Sequence, residues 1–411
     1  MDDTSRNVIE SGSAVSLQHR IYLAADAGQP LSGLAQRAAA GAADLGWADP
    51  SSRAHEGRRS RQLLETAARS VADSVGVPGA AVIFFPAPML ALTAAVAATG
   101  NGPAACGAAD RLPVHHAVTE RARRLYVPAT TLQVDATARV SVEAVAQAVT
   151  AGVQVIISQV GNPEVGSMAD HSAISANVHT HGGQVVLDAT MAAGRVTLPE
   201  PATWDVLVLS ATSWAGGLGV GIVVVKPGTP WDASAAWGAD GRKPAQLPVR
   251  APGVAACATA ALSLEQAVAT VTERTLRDQR RTDALRAALT TVPDVVVHGT
   301  QPQLPHVLGF SVAGVLAESL LLELDRRGIS VAAGSACTPD PDVPSSVLTA
   351  MGAPVGGFAR MTLPMFDAVL CGADAESPSA QAEVGVRAEA AIAHVCAELP
   401  MAIAATRAEL V

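Results

Sequence analysis

Lysine is almost missing from this chain of 411 residues, which contains only Lys226 and Lys243. Lysine and arginine together number 28 against 37 aspartates and glutamates, so the formal net charge is -9. Binding to a nucleic-acid backbone needs clustered basic side chains, and this balance argues against that class of protein. Aromatic residues are also scarce, at 3%, although apolar residues reach 49%. We therefore expect a large core built from small aliphatic side chains, with room for about one large and one smaller domain.

Signals for export, membrane insertion and disulfide formation are lacking as well. The N-terminal stretch has no basic start followed by an apolar run, and no stretch of about 18 uninterrupted apolar residues occurs, so we expect no signal peptide and no membrane span. The five cysteines form no C-x-x-C pair. A scattered, odd set of cysteines is typical of a reducing compartment, and the expected location is the cytoplasm.

Short apolar runs without alternation are separated by helical patterns in the first 250 residues. The predicted strands include AAVIFF, VQVIISQV, QVVLDAT, WDVLVLSA and GIVVVK. Such buried strands between helices predict a mostly parallel sheet covered on both faces, an α/β fold. From about residue 254 we expect one long bridging helix, then alternating strands and helices. The predicted division is an N-terminal arm (1–20), a large α/β domain (21–255), and a bridging helix with a smaller domain (256–411).

Polar side chains stand where three of the predicted strands end. Asn162 follows VQVIISQV, Asp188 lies near the end of QVVLDAT, and Ser210 near the end of WDVLVLSA. In open parallel sheets, ligands bind outside the carboxyl ends of the strands. An aspartate there can pair with a pyridinium nitrogen, and an asparagine can hydrogen-bond a ring oxygen. This is the binding chemistry of pyridoxal phosphate.

The sequence resembles the class V aminotransferase group, and within it the cysteine desulfurases, over roughly residues 20–365. The strongest piece is AAGSACTPDPDVPSSVLTAMG, which is similar to the family's Ser-Gly-Ser-Ala-Cys-Thr loop and to its Ser-x-Val-Leu-x-Ala-x-Gly helix. The blocks YLAADAGQP, DPSSRAHEGRR, HHAVTERA, NPEVG and LDATMAAGRV look like other family blocks in the same order. The resemblance implies the fold-type I architecture of pyridoxal phosphate enzymes. That architecture has a large domain with a mostly parallel sheet, a smaller α+β C-terminal domain, and a dimeric assembly.

The resemblance also assigns roles to individual residues. Cys337 matches the cysteine that takes sulfur from the substrate as a persulfide, and Arg360 matches the arginine that grips the substrate carboxylate. The implied cofactor site consists of His115 against the ring, Asn162 near the ring oxygen, Asp188 on the pyridine nitrogen and Ser210 on the phosphate.

The departures from the family pattern fall on the cofactor chemistry. Ser213 stands where the family has the lysine of the internal aldimine, with Thr212 in place of the neighbouring histidine and Met191 in place of a glutamine. The phosphate loop Ser-Gly-Ala-Thr-Glu reads PAPML (86–90), which lacks the hydroxyls and two of the N–H donors. The family's Asn-Ala-Ala-Thr block has become Ala-Asp-Ala-Gly (25–28).

Serine can neither form an aldimine nor move the proton at the substrate's alpha carbon. Lys226 follows the next strand, at about 3.3 Å per residue, and is expected to point to the far edge of the sheet. Lys243 falls in a loop that the sequence does not place. We therefore expect no bound cofactor, although pyridoxal phosphate would be needed if the family activity is retained.

The leading hypothesis is a pseudoenzyme that resembles cysteine desulfurases and acts as a partner, scaffold or persulfide relay in sulfur trafficking. It would form a homodimer, or a heterodimer with an active desulfurase paralogue, and could meet a sulfur acceptor protein. One alternative is an active desulfurase or related lyase with a re-sited lysine. Another is a small-molecule-binding module that uses Arg360 and Asp188.

Two weaker motifs carry no assignment. His115-His116 with Glu120, and His179-x-His181, lack a convincing full ligand set, so no metal site is expected. GGLGVG precedes a strand instead of opening a helix, which excludes a dinucleotide fingerprint.

Overall fold

The computed structural model describes residues 20–233, 235, 252–334, 344–372 and 378–408. The strands are β1 (Ile21–Tyr22), β2 (Ala81–Phe85), β3 (Ala104–Gly107), β4 (Thr130–Leu132), β5 (Val155–Gln159), β6 (Gln184–Asp188), β7 (Val206–Ser210), β8 (Gly221–Val225), β9 (Val295–Val297), β10 (Val307–Val312), β11 (Ile329–Ser330), β12 (Ala332–Ala333) and β13 (Phe358–Thr362). The helices are α1 (Gly33–Leu45), α2 (His55–Ser74), α3 (Pro88–Ala98), α4 (Leu112–Leu125), α5 (Val142–Thr150), α6 (His171–Thr180), α7 (Val254–Ala269), α8 (Val271–Thr290), α9 (Ala317–Arg326), α10 (Ser346–Met351), α11 (Asp367–Leu370) and α12 (Pro378–Ala408).

The large sheet has seven strands in the order β2-β8-β7-β6-β5-β3-β4. The pairs from β7 to β4 are parallel, and β8 runs antiparallel between β7 and β2. Leu207 and Leu209 face one apolar core, and Val206 and Val208 face the other. Both faces are buried, which explains why the strands read as continuous apolar runs.

The smaller sheet is antiparallel, in the order β12-β13-β10-β9, and packs on α8 and α9, and α12 packs in turn against these two helices. Its core includes Phe310, Leu320 and Ile392, and it also takes in Ile21 and Leu23 from the start of the described chain. Strand β1 reaches this domain by pairing in parallel with β11. Residues 21–23 therefore pack with the C-terminal domain.

The predicted bridging helix is two helices, since the chain bends by 74° between α7 and α8. Thr270 at the break has φ -117° and ψ 13°, and the β-branched residues around it favour helix weakly. Arg274 from α8 donates to the carbonyl of Ala267 near the end of α7, at 3.1 Å, and to that of Gly194, at 2.6 Å. Helix α7 packs on α1 and α2 and shares the large domain's core, whereas α8 packs on the small domain's sheet.

One helix in the described part of the chain, within α12 (382–408), is long and apolar enough to cross a membrane, and the bent α7–α8 pair would be a second if counted as one span. One face of α12 is buried in the small domain by Val384, Ile392, Val395 and Leu399.

Candidate functional site

A cavity of about 200 Å³ lies where β6 and β7 end and where the two domains meet. The large domain contributes Pro88, Arg111, Thr190, Met191, Arg195, Ser210, Thr212 and Ser213. The N-terminal segment and the small domain contribute Ala25, Asp26, Gln29, His306 and Thr362. This is the place where an open α/β sheet binds ligands.

Ser213 and Ser210, both singled out from the sequence, line this cavity. Ser213 lies in a short 3-10 turn (Ala211–Trp214) directly after β7, and its hydroxyl donates to the carbonyl of Ala193 at 3.0 Å. Ser210 is the last residue of β7 and is buried. Position 213, where the resemblance places a lysine, thus offers a short hydroxyl that is turned to the backbone.

Asp188 ends β6 with its carboxylate engaged on both oxygens. Oδ1 accepts from the backbone N of Thr190 at 3.0 Å and from its hydroxyl at 2.6 Å. Oδ2 accepts from Arg111 Nε at 2.9 Å, and Arg111 Nη2 also lies 2.9 Å away. The guanidinium of Arg111 therefore occupies the carboxylate that the resemblance assigns to a pyridine nitrogen.

Asp110, next to Arg111, adds to the buried charge here. Its carboxylate accepts from the backbone N of Gly107 at 2.9 Å. Burial, with a smaller contribution from the negative charge of Asp188, raises the pKa of Asp110 to about 7, although the hydrogen bond from Gly107 and the charge of Arg111 both act to lower it. The positive charge of Arg111 is thus shared by two acidic groups.

Arg360, in β13, is neutralised in the same way. Its Nη2 donates to Asp26 Oδ2, and its Nη1 donates to the carbonyl of Pro163 at 3.1 Å. Both side chains of the pair are at most 5% exposed. Asp26 belongs to the block in which the family has Asn-Ala-Ala-Thr, so this departure supplies an internal carboxylate to the arginine expected to hold a substrate carboxylate.

The helix that faces the cavity from the other side, α3, begins without a phosphate cradle. Pro88 is its first residue, and Ala87 at the N-cap makes no side-chain capping bond. Two prolines remove amide donors and the N-cap offers no hydroxyl, so the usual anion-binding groups of a helix N-terminus are reduced.

Asn162 and His115 are not among the described residues that line the cavity. The amide of Asn162 donates to the carbonyl of Ala109 at 2.9 Å and accepts from the backbone N of Glu164 and Val165. His115, in α4, has its Nδ1 3.5 Å from Cys106 Sγ, and burial lowers its pKa. Asn162 thus organises its own loop, and its predicted contact with a cofactor ring remains a prediction.

Lys226, the lysine among the described residues, makes its contacts away from the cavity. Lys226 Nζ donates to the carbonyl of Pro201 at 2.8 Å and lies 5.7 Å from the centre of the Trp204 ring. It follows β8 at the end opposite Gly221, which pairs with Ser210. Cys337 and Lys243 lie outside the described residues.

Sequence reasoning missed Arg111, Arg195 and His306 as cavity residues. His306 Nε2 lies 3.0 Å from the carbonyl of Met191, and burial together with the charge of Arg195 holds its pKa well below the ordinary value. Arg195 donates to the carbonyl of Leu363 at 2.5 Å and pairs with the fully buried Asp278. Arg111 lies four residues before His115, where the family-like block HHAVTERA begins. Its charge beside that block was the sequence signal that could have identified it as a cavity residue.

No group of three or more His, Cys, Asp or Glu side chains among the described residues is arranged to hold a metal ion. His179, from the weaker histidine motif, has its Nε2 2.9 Å from Asp205 Oδ2. The described cysteines are free thiols, three of them buried. Burial raises the pKa of the Cys257 thiol to about 12, which disfavours a reactive thiolate there.

The residues present do not fit pyridoxal phosphate. Asp188, expected at the pyridine nitrogen, is bound to Arg111, and Arg360, expected at the substrate carboxylate, is paired with Asp26. The turn expected to hold the phosphate has prolines in place of amide donors. The position expected to bond covalently holds Ser213. We therefore derive no reaction step through this cofactor.

Residues 48–366 match the family described as aminotransferase class-V. A putative cysteine desulfurase IscS 1 of Bacillus subtilis (strain 168) is 28% identical over 319 residues, covering 74% of this chain and 81% of that protein. A cysteine desulfurase IscS of Dictyoglomus turgidum is 26% identical, covering 77% of this chain and 83% of that protein.

Solved structures resemble the fold at lower identity. A NifS-like protein from Rickettsia africae ESF-5 has a TM-score of 0.72 at 18% identity, covering 92% of this chain and 100% of that one. The apo cysteine desulfurase from Thermococcus onnurineus NA1 has a TM-score of 0.68 at 15% identity, covering 90% and 94%. The predicted fold, a mostly parallel sheet flanked by helices with a smaller C-terminal domain, is confirmed.

Proposed function

Because the chain belongs to the class V aminotransferase family and is similar to cysteine desulfurases, we propose that it is a desulfurase-like pseudoenzyme. It acts as a partner or scaffold in sulfur trafficking and does not carry out pyridoxal chemistry by itself. The observation that carries the proposal is the Arg111–Asp188 pair beside Ser213. A lost lysine alone could be bypassed, but an arginine on the cofactor's own aspartate removes a second, independent requirement.

The contacts of Lys226 argue against the alternative of a re-sited lysine. Its ammonium is bound to the carbonyl of Pro201, at the far end of β8 from the cavity. Lys243 is the remaining candidate for that alternative.

The test is an absorption spectrum of the purified full chain before and after pyridoxal phosphate, followed by borohydride and intact mass. We expect no band in the Schiff-base region and no covalent adduct specific to one site. A saturable band with an adduct mapped to Lys226 or Lys243 would overturn the proposal and favour an active lyase.

The relay version of the proposal concerns Cys337. Incubation with an active cysteine desulfurase and cysteine, followed by alkylation and mass spectrometry, should find a persulfide on Cys337. The same experiment with Cys337→Ser is the control, and an unmodified Cys337 would leave only the scaffold role.

Large apolar side chains exposed near the cavity support a protein partner. Met89 and Leu90, directly after the cavity residue Pro88, are 53% and 47% exposed, and Leu218, which lies against Gly28, is 68% exposed. Exposed apolar groups of this kind are typical of interfaces. We propose a dimer, with a second copy or with a competent desulfurase, and sedimentation of the chain alone and in mixture tests it.

A further inference from the structure

The connection between α1 and α2 exposes large apolar side chains to solvent. Trp47 is 71% exposed and Leu45 is 43% exposed. Aromatic residues make up only 3% of the chain, and Trp204 and Trp214 are buried in the core. An exposed tryptophan keeps a large apolar surface in water, and tryptophan is enriched at the centres of protein interfaces. The exposure of Trp47 therefore indicates a surface that a partner covers.

Arginines from the start of α2 are held against this connection. Three guanidinium groups donate to its backbone carbonyls, in the pairs Arg58–Arg53 (2.6 Å), Arg61–Ser52 (3.3 Å) and Arg59–Leu45 (3.3 Å). These contacts fix the positive groups around the segment that carries Trp47. We call this surface the basic corner, and it consists of Leu45, Trp47, Arg53, Arg58, Arg59 and Arg61.

The basic corner carries positive charge that no carboxylate neutralises within the described residues. Arg58, Arg59 and Arg61 bond there to backbone carbonyls alone. The stretch 44–61 contains four arginines and three acidic residues, so it is net positive in a chain of net charge -9. Because each guanidinium has five N–H donors, most of them remain available for a carboxylate from outside.

The apolar part of the basic corner selects among negatively charged partners. A nucleic-acid backbone could pair with the arginines, but it would leave Leu45 and most of the Trp47 ring without an apolar contact, and the net charge of the chain repels a long polyanion. An acidic protein segment that also contains aliphatic side chains matches both the arginines and the apolar side chains. Fixed arginines beside an exposed tryptophan are the composition of an interface hot spot.

We propose that the basic corner binds an acidic, leucine-containing segment of another protein, with Trp47 as the apolar anchor and the arginines on the carboxylates. This inference rests on the proposed function, in which the chain acts through partners, and it states the chemistry of one partner. The residues differ from Met89, Leu90 and Leu218, which are proposed for the dimer, so the basic corner is a second binding surface.

The test measures the fluorescence anisotropy of a fluorescein-labelled peptide of glutamates around two leucines, titrated with the full chain. A matched peptide has glutamine in place of every glutamate, and single-stranded DNA of equal charge is the second comparison. We expect the acidic peptide to bind about tenfold more tightly than the glutamine peptide at about 50 mM salt, and to lose that advantage at about 500 mM. Equal binding of the two peptides at low salt would overturn the proposal.

Variants assign the binding to the basic corner. Arg58→Gln with Arg61→Gln should weaken binding of the acidic peptide about fivefold and leave the glutamine peptide unchanged, since only the carboxylates lose their partners. Trp47→Ala should weaken binding of both peptides about tenfold. Arg387→Gln, at an exposed position of α12, is the matched control and should change neither constant. An affinity that the arginine double variant leaves unchanged would contradict the proposal.

Thermal melting verifies that each variant is folded, and if Trp47→Ala unfolds, the arginine double variant decides. DNA that binds as tightly as the acidic peptide would make the arginines a general polyanion site and overturn the proposal. The pyridoxal phosphate spectrum of the same samples separates the two proposals. A cofactor adduct refutes the proposed function, whereas no adduct and no peptide binding refutes this inference alone.

Discussion

Restoring the missing lysine is expected to be insufficient for cofactor binding, because Arg111 holds the carboxylate of Asp188. In Ser213→Lys, a pyridine nitrogen could reach Asp188 only after the Arg111–Asp188 pair has separated. The side chains of this pair are 16% and 3% exposed. Breaking a buried ion pair costs about 3–5 kcal/mol. We therefore expect Ser213→Lys with Arg111→Ala to bind pyridoxal phosphate roughly 10²- to 10⁴-fold more tightly than Ser213→Lys alone.

The assay is an absorbance titration with pyridoxal phosphate, followed by borohydride and intact mass. The matched control is Ser213→Lys with Arg123→Ala, which removes an arginine from the exposed side of the same helix, α4. Because all variants contain the same lysine and the same PAPML turn, these features cancel in the comparison. Ser213→Lys binding as tightly as the double variant would refute the idea that Arg111 blocks the site.

Three further predictions concern stability. Asp278→Ala should lower the free energy of unfolding by about 3–5 kcal/mol, measured with urea, because it leaves the buried Arg195 without its carboxylate partner. Gly221→Ala should lower it by about 1–3 kcal/mol, since the new Cβ would lie 2.6 Å from the carbonyl oxygen of Ala87 and 2.7 Å from Pro88 Cα. Burial lowers the pKa of His298 to about 4, so the unfolded chain takes up a proton at higher pH than the folded one. The free energy of unfolding should therefore fall as the pH drops from about 6.5 to about 4, by at most about 3 kcal/mol from this group. In His298→Gln, the urea midpoint should depend less on pH across that range.

Exposed positions serve as controls for these measurements. Asp44→Ala in α1 should leave the urea midpoint within about 0.5 kcal/mol of the parent. A similar small change for Asp278→Ala would mean that the buried network is not held by that carboxylate. A pH slope unaltered by His298→Gln would assign the acid sensitivity to other groups.

The strands of the large sheet could be predicted from the sequence because burial on both faces leaves unmistakable apolar runs. VQVIISQV became β5 (Val155–Gln159) and WDVLVLSA became β7 (Val206–Ser210). Less regular elements such as β3 and α1 were not predicted, since short or alanine-rich segments carry little periodicity. The break at Thr270 was also missed, because Arg274 just after it binds the distant carbonyl of Gly194, a contact that depends on the tertiary fold.

The candidate site was predictable in location but not in its pairings. Ser210 and Ser213 line the cavity as the strand ends suggested. The sequence could not reveal that Arg111 meets Asp188 across 77 residues, or that Asp26 meets Arg360 across 334, because such contacts depend on the tertiary fold. Those two pairs engage the side chains that the resemblance assigns to a pyridine nitrogen and to a substrate carboxylate.

The cavity lies at the interface between the large and the small domain, which have separate apolar cores. Its walls include Ser213 from one side and Thr362 from the other, and Arg195 ties the two together through the carbonyl of Leu363. Any molecule bound there would contact both domains at once, so its binding free energy would add to the contacts that hold the two domains together.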